Sequence, residues 1–315
     1  MVMENYIVFS PWANFVIAHV LTLGYAAMAA GLVYFLVTAK QISPRYRVAN
    51  YLGAVVMASA LLELYNQYQV WTATFRPIDG LDGSVLFAAI GTDKFSNGYR
   101  YLNWSIDVPV LLTQIVVVLG LAGAKFWKPV ILFTVSGLLM IYTGYIGQFF
   151  ESVPAAGNVS SLAAAFASDP TLATSPGGTV FGDIGPAAPY WIWFVVSCLF
   201  YAVILWQVVA VGLSRENLAK LPPRAQFWMK GVVYTLVGSW MLYVVGYLMP
   251  AVSQSQESAV IRQVVYTIAD VVSKVIYGVM IGYVAQLRSN AEGYDEDRLD
   301  RMGYGDAAHA TPPAA

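Results

Sequence analysis

Seven long apolar stretches constrain this chain more than any other feature of its sequence. They cover about residues 12–39, 47–72, 99–123, 127–150, 189–214, 225–250 and 258–287. Each is long enough to cross the bilayer core of roughly 30 Å as a helix, which needs about 20 mostly apolar residues. Because lipid cannot satisfy free backbone groups, the sequence predicts an all-α membrane protein, a bundle of seven transmembrane helices.

The composition supports a membrane protein and excludes several other classes. Of the 315 residues, 58% are hydrophobic and 11% are charged, whereas soluble domains carry about 25% charged residues. The net charge of −1 offers no basic surface for nucleic acid, and the single cysteine, Cys198, excludes a disulfide framework. No cleavable targeting segment is recognised, and residues 1–11 are expected to form an extracellular cap.

Positive charges are distributed unequally between the two sides of the predicted bundle. Twelve Lys and Arg residues lie in the connections after spans one, three and five and in the C-terminal tail, against four on the opposite side. The positive-inside rule therefore predicts an outer N-terminus and an inner C-terminus. The membrane domain is predicted over residues 12–288, and the cytoplasmic tail, 289–315, is expected to be disordered.

Two predicted outer connections differ in composition. Residues 76–98 alternate weakly in hydrophobicity between Gly-Asp turns, which predicts a short extracellular hairpin between helices two and three. Residues 151–188 are rich in Ala, Gly, Ser and Pro and contain no Lys or Arg. An ordered lid and a loose loop both remain open for that connection.

Ionisable residues inside the spans are few and carry most of the functional information. Lys274 lies near the middle of the last span, and Asp270 precedes it by one turn on the same face. Glu63 and Asp107 lie inside the second and third spans. Each unpaired charge at mid-helix costs about 2.5–3.5 kcal/mol, so such residues are expected to pair and to mark an ion pathway. A structural ion pair and a Schiff base on Lys274 are both open interpretations.

The third span carries a polar stripe on an otherwise apolar helix. At 100° per residue, four side chains fall within about 60° of one another: Arg100, Asn103, Asp107 and Gln114. Such a stripe can join helices. It also suits an inward ion path, in which Asp107 takes a proton and amide oxygens meet a hard cation.

Aromatic residues accompany the polar ones at the same predicted depth. Trp104 adjoins Asn103, and Trp240 and Tyr243 lie one turn apart in the sixth span. Each alone is typical of core packing. Together they suit a slot for a long conjugated polyene, and Gly144 in the fourth span leaves room for its ring.

These residues together resemble a microbial rhodopsin over about residues 10–288. The resemblance is carried by RYLNWSIDVPVLLTQ in the third span and DVVSK in the seventh. The triplet Asn103, Asp107 and Gln114 is similar to the NDQ pattern of light-driven sodium pumps. Proton pumps of this fold carry Asp, Thr and a carboxylate there, and related chloride pumps carry Asn, Thr and Gln. The resemblance implies a light-driven ion transporter rather than an enzyme.

That resemblance implies all-trans retinal, bound as a protonated Schiff base to Lys274 with Ser273 beside it. Light is then expected to move the Schiff-base proton to Asp107. Neutralisation lets Na⁺ pass outward, coordinated transiently by Asn103 and Asp270. The polar residues of the third and seventh spans are thus expected to form the ion path.

The resemblance also assigns residues to both ends of that path. At the outer end, Arg100 is expected to separate the Schiff-base region from the outer cavity. Glu4, Glu151 and Arg262 are expected to form an extracellular release cluster. The cytoplasmic uptake region takes Gln114, Asn50 and Gly282. Gly53 stands where a serine is expected, and Ser59 resembles a hydroxyl near Asp107.

A homo-pentamer in the bacterial inner membrane is a further implication of the resemblance. His19 and Asp93 resemble a pair at the protomer interface. Thr72 and Phe75, with Asp93, resemble an interface Na⁺ site. Membrane lipids are the other expected partners, and no protein transducer is expected.

Glu63 departs from the family pattern, in which an apolar residue is expected. A carboxylate near Asp107 would share a proton with it or change its titration, and our hypothesis is that Glu63 tunes the pH at which Asp107 ionises. A carboxyl held neutral in a polar pocket remains open.

The alternatives to a sodium pump are an outward proton pump, including one that moves protons when Na⁺ is absent, and a sensory photoreceptor that signals through a transducer. An inward chloride pump is disfavoured because Asp107 lies where the anion would bind.

Overall fold

The computed structural model describes residues 2–80, 83–89, 94–154 and 184–294. Within them lie seven long helices: α1 Pro11–Thr38, α2 Pro44–Thr74, α3 Gly98–Val118, α4 Ala124–Gln148, α5 Ala188–Gly212, α6 Pro223–Val252 and α7 Gln256–Ala291. All seven are long and apolar enough to cross a membrane. The predicted fold class, a seven-helix membrane bundle, is confirmed.

Proline and serine mark where several helices begin. Proline lies in the first turn of α1, α2, α5 and α6, where its fixed φ suits a helix and its missing N–H costs nothing. The Ser255 side chain accepts a hydrogen bond from the Ser258 amide at the start of α7 and so satisfies one of the free donors there.

The helices form a ring in chain order, closed where α1 packs against α7. α3 contacts α2, α4, α5 and α7, so its polar stripe lies inside the bundle rather than against lipid. Charged side chains of α2, α3 and α7 are buried there, which removes them from the hydrocarbon.

The outer end of the bundle is covered by short elements. A 3-10 helix, Met3–Tyr6, precedes α1, and Phe9 forms a β-bridge with Phe87. Strands β1 Phe75–Asp79 and β2 Val85–Ala89 pair antiparallel, with Phe75 opposite Ala89, which confirms the predicted hairpin. In the connection after α4, β3 Val153–Pro154 pairs with β4 Ile184–Gly185. The question of a lid or loop over 151–188 otherwise lies outside the described residues.

Two helix ends differ from the predicted spans. α3 ends at Val118 rather than near 123, because the chain turns through Gly120 and Gly123 at φ of 62° and 55°, a backbone region that favours glycine. α7 continues to Ala291, beyond the predicted boundary at 288. The tail from 295 onward, for which disorder is expected, lies outside the described residues.

Candidate functional site

Lys274 lies in a short π-helical segment of α7, Val271–Ile276, between two α-helical parts. Such segments are rare in proteins and occur frequently at functional sites. The Lys274 side chain is buried at this point, near the middle of the bundle. The sequence does not predict the segment, because VVSKVI contains neither proline nor glycine.

Three polar side chains converge on the nitrogen of Lys274. Its Nζ lies 2.9 Å from Asp107 Oδ2 and 2.8 Å from Asp270 Oδ1. It also donates a hydrogen bond of 3.1 Å to Asn103 Oδ1. All four side chains are buried, and buried charges persist when they are paired. The structure therefore brings together residues that the sequence places on two different helices.

Arg100 supplies a second buried cation on the outer side of this group. Its Nη1 donates a 2.8 Å hydrogen bond to Asp270 Oδ2, and its Nη2 donates to Gln263 and Thr267, each at 3.3 Å. Arg100 and Lys274 thus share the Asp270 carboxylate. Gln263 and Thr267 are not among the residues predicted from the sequence, although their spacing of seven and three residues before Asp270 places them on one face of α7.

Asn103 connects the centre to α2. Its Oδ1 accepts the hydrogen bond from Lys274, and its Nδ2 donates to Ser59 Oγ. Ser59 lies beside the Asp107 carboxylate. Ser59 therefore has the position that the sequence predicts for it.

Two aromatic side chains also donate to Asp270. The Tyr243 hydroxyl lies 2.7 Å and the Trp104 Nε1 lies 3.2 Å from Asp270 Oδ1. Tyr243 also contacts Ser273 Oγ at 3.1 Å. With so many donors, Asp270 is held in one position, whereas Asp107 has fewer partners.

A cavity extends from Lys274 between α3, α4, α5 and α6. Sites for small organic cofactors are likewise concave and mostly apolar, with a few polar groups. Its walls include all six residues that the sequence assigns to the chromophore: Trp104, Gly144, Trp240, Tyr243, Ser273 and Lys274. A Cβ on Gly144 would lie 3.3 Å from Tyr101, so a larger side chain there would enter this space.

The far wall of the cavity has no counterpart among the predicted residues. It is formed by side chains of α4 and α5: Met140, Ile141, Phe194, Ser197, Cys198 and Tyr201. α5 is apolar around its whole circumference, so no periodic pattern distinguishes the inner face of this helix from the face toward lipid. A mainly apolar cavity that ends at a buried amine fits a polyene aldehyde joined to Lys274.

Gln114 lies in a second polar group, toward the cytoplasmic end. Its Nε2 donates to the Ala49 carbonyl at 2.7 Å, and its buried Oε1 has no hydrogen-bond partner within the described residues. A Cβ on Gly53 would lie 3.2 Å from that amide, and a Cβ on Gly282 would lie 2.9 Å from Asn50 Oδ1. The predicted uptake residues are thus neighbours, with small residues between them.

Glu63 is buried in α2, and within the described residues it forms no hydrogen bond or ion pair with Lys274, Asp107 or Asn103. Among the described residues neither of its carboxyl oxygens has a hydrogen-bond partner, and no Lys or Arg nitrogen lies within 4 Å. An ionised carboxylate without partners is costly in such a place. The hypothesis that it tunes Asp107 therefore requires an effect through space rather than a direct contact.

A cluster of charged groups lies at the outer end of the bundle. Arg262 donates to both Glu4 and Glu151, with 2.9 Å between Nη1 and Glu151 Oε2. The Glu151 carboxylate also accepts from the Met3 amide at 2.8 Å. Burial raises the pKa of Glu151, against the opposing effect of the Arg262 charge. The structure thus brings together the three residues of the predicted release cluster.

Gln263 links the centre to the outer cluster. Its Oε1 accepts from Arg100, and its Nε2 donates to Glu4 at 2.7 Å and to Asn97 at 2.9 Å. A continuous chain of polar contacts therefore runs from Lys274 to the buried outer cluster of Glu4, Glu151 and Arg262.

The residues predicted at a protomer interface are only partly described. Thr72 is exposed, and its hydroxyl donates to the carbonyls of Tyr68 and Gln69 in its own helix. Phe75 is buried against Phe9 and Trp71, while His19 is exposed on α1. Asp93 lies outside the described residues, so the interface Na⁺ site stays a prediction.

Comparisons with known proteins identify the family of this chain. The family model of bacteriorhodopsin-like proteins matches residues 15–168 and 171–287. A green-light absorbing proteorhodopsin from Gamma-proteobacterium EBAC31A08 is 23% identical over 270 residues, which cover 84% of each chain.

Solved structures of similar proteins share the fold over nearly the whole chain. The crystal structure of thermophilic rhodopsin matches with a TM-score of 0.73 and 25% identity, over 93% of this chain and 100% of the other. Xanthorhodopsin, described as a light-driven ion pump with dual chromophore, matches with a TM-score of 0.71 and 24% identity, over 91% and 99%.

Proposed function

The chain belongs to the family of bacteriorhodopsin-like proteins, and from this premise we propose that it is a light-driven outward sodium-ion pump. The family implies a retinal chromophore, and the cavity that ends at Lys274 fits one. Retinal bound there as a protonated Schiff base supplies light absorption and a positive charge at the centre. The remaining steps are carried by the protein's own side chains.

Asp107 is the proton acceptor of this proposal. Its Oδ2 lies 2.9 Å from Lys274 Nζ, within reach for direct proton transfer. The transfer neutralises both groups at once. Because a fixed buried cation would repel Na⁺, its loss is what permits Na⁺ to pass.

Asn103 and Asp270 supply oxygens for the passing ion. Na⁺ prefers hard oxygen ligands, as other hard cations do, and the Asn103 amide oxygen and the Asp270 carboxylate face the same nitrogen. Arg100 lies on the outer side of this point, paired with Asp270, and reprotonation of the Lys274 nitrogen restores the positive charge that opposes the return of the ion. Moving one charge against the membrane potential costs about 2.3 kcal/mol per 100 mV, which light supplies.

The observation that favours sodium over proton transport is the Asn103 amide beside Lys274. Asn103, not a carboxylate, donates to Ser59 and accepts from Lys274. An amide cannot take the proton but can offer an oxygen to a cation. Gln114 is likewise an amide, at the position where similar proton pumps carry a carboxylate.

The test is the light-induced pH change of a cell suspension that expresses the protein with retinal. In NaCl we expect alkalinisation that a protonophore strengthens, because protons enter passively as Na⁺ leaves. In KCl the alkalinisation should vanish. Acidification in NaCl that the protonophore abolishes would contradict the proposal.

Two variants serve as controls for that measurement. Asp107→Asn should remain coloured and transport neither ion, because the acceptor is lost. Glu257→Gln, at an exposed position of α7, should pump like the unsubstituted protein.

An outward proton pump is the second candidate. The protein would then move protons either only when Na⁺ is absent or under all conditions. The similarity to a green-light absorbing proteorhodopsin favours it, and Asp107 provides an acceptor for the proton. A sensory photoreceptor is the alternative if a coloured protein transports nothing. A pentamer in the bacterial inner membrane, without a transducer, completes the proposal.

A further inference from the structure

A surface groove between the cytoplasmic ends of α4 and α5 is separate from the cavity at Lys274. We name it the α4–α5 groove, lined mainly by Lys125, Lys128, Leu132, Trp206, Gln207 and Ala210. One end of it is polar and basic, and the rest is apolar. That division matches a molecule with a charged head and a hydrocarbon chain.

The basic end coincides with the start of α4. Gly123, before the helix, has no side chain with which to cap it, and the amides of Ala124 and Lys125 have no acceptor within the described residues. The helix dipole is positive at this end. Lys125 and Lys128, three residues apart on one face, add two more positive charges, an unfavourable arrangement unless an anion binds.

Gln207 points independently to a ligand in the groove. The side chain is 7% exposed, and its buried Oε1 has no hydrogen-bond partner in the described part of the chain. No hydrogen bond engages its amide nitrogen there either. A buried amide without partners is costly, and a polar headgroup in the groove would satisfy it.

Glu216 already pairs with one of the two lysines at the basic end of the groove. Its Oε1 lies 2.7 Å from Lys125 Nζ, and that hydrogen bond lowers the pKa of Glu216, so it is ionised at neutral pH. Lys128, in contrast, forms no ion pair within the described residues. Lys128 is therefore free to bind an external anion, whereas Lys125 must exchange its partner.

The apolar part of the groove suits the membrane interface. Trp127 is 60% and Trp206 is 66% exposed, and tryptophan at this level is typical of the boundary between headgroups and hydrocarbon. Leu132 and Trp206 continue the groove toward the membrane centre. The basic residues lie on the predicted cytoplasmic side, where the leaflet carries anionic lipids.

We propose that the α4–α5 groove binds one anionic phospholipid of the cytoplasmic leaflet, with its phosphate on Lys128, Lys125 and the start of α4. The headgroup also reaches the amide of Gln207, and an acyl chain lies along Leu132 and Trp206. This site does not depend on the ion that the protein transports.

The test is native mass spectrometry of the full chain in detergent with short-chain lipids as probes. Dioctanoyl phosphatidylglycerol should bind as one copy per chain, and dioctanoyl phosphatidylcholine should bind at least tenfold more weakly. Lys128→Gln should weaken phosphatidylglycerol about fivefold, the value of one lysine near an anionic headgroup. Glu216→Gln should strengthen it, because the competing carboxylate is gone.

Lys230→Gln is the matched control, an exposed lysine on the cytoplasmic part of α6. It should leave the affinity for phosphatidylglycerol unchanged. Equal loss in Lys230→Gln and Lys128→Gln would overturn the proposal, since it would indicate a diffuse electrostatic effect. So would inorganic phosphate that displaces the lipid at equal concentration, since the site would then recognise a free anion. Unchanged melting of the variants checks that they fold.

Discussion

Arg100 and Asp270 form a fully buried ion pair, with 2.8 Å between Nη1 and Oδ2. The other oxygen of Asp270 lies 2.8 Å from Lys274 Nζ. One carboxylate therefore pairs with two cations, while among the described residues Asp107 pairs with Lys274 alone. If a proton passes from Lys274 to Asp107, Asp270 keeps Arg100 as its partner and stays ionised. Proton transfer can thus remove the charges of Lys274 and Asp107 without leaving the Asp270 carboxylate unpaired.

Arg100→Gln should destabilise the protein strongly. The substitution leaves a buried carboxylate oxygen without its cation, and breaking a buried pair from one side costs about 3–5 kcal/mol. We expect a large fall in the thermal midpoint, measured by the loss of visible absorbance of the retinal-bound protein in detergent.

Arg45→Gln is the control for that measurement. Arg45 lies 3.9 Å from Glu292, and both side chains are largely exposed, so the loss should stay within about 1 kcal/mol. Similar midpoints for the two variants would show that the Arg100 pair does not stabilise the fold as described.

Gly144→Leu should block the chromophore cavity. A Cβ at this position already lies 3.3 Å from Tyr101 and 3.4 Å from Ser197, so the longer side chain must enter the space between them. We expect at least a tenfold loss of retinal uptake, measured as visible absorbance relative to protein absorbance. Gly238→Leu, at an exposed site of α6 with no atom within 4 Å, should take up retinal normally.

The sequence predicts the central group well because a membrane limits where charge can be. In an apolar span, each ionisable residue is conspicuous and must face the interior. Lys274, Asp107 and Asp270 are therefore expected to meet on the strength of the sequence alone. The hairpin after α2 is predictable from alternation and Gly-Asp turns for similarly local reasons.

Other parts of the site leave no such signal. The π-helical segment at Lys274 depends on how α7 packs, and the α5 wall of the cavity is apolar on every side. Gln263 is an ordinary amide near the outer end of α7, and only the fold shows that it joins Arg100 to Glu4. Sequence spacing also cannot measure the distance between Glu63 and Asp107.

Glu63→Leu should be tolerated or stabilising. Both carboxyl oxygens are buried without a partner in the described part of the chain, and replacing such a group by an apolar one of similar size removes an uncompensated cost. We expect an unchanged or higher thermal midpoint, together with a displaced curve of absorbance against pH if Glu63 acts on Asp107 through space.

Glu63→Gln keeps the polar burial and removes only the charge, so it separates the two effects. It should displace the absorbance curve as Glu63→Leu does, without raising the thermal midpoint. A loss of more than about 1 kcal/mol in Glu63→Leu would contradict the absence of partners. An absorbance curve that neither variant displaces would refute the tuning hypothesis.

Glu151→Gln should change how stability depends on pH. Burial raises the pKa of Glu151 above its ordinary value of 4.5, so the folded state favours the protonated carboxyl more than the unfolded state does. Its contribution is full below that value and is lost as the pH rises through the raised pKa. We therefore expect the thermal midpoint of the unsubstituted protein, relative to Glu151→Gln, to fall as the pH rises from 4.5.

Glu216→Gln is the control for this titration, because the pKa of Glu216 is lowered rather than raised. The hydrogen bond from Lys125 lowers the pKa of Glu216, so above about pH 6 this group is ionised in both the folded and the unfolded chain. Its variant should keep a constant offset from the unsubstituted protein over that range. If the Glu151→Gln offset were equally constant, the outer cluster would hold Glu151 ionised throughout, and burial would not control its proton.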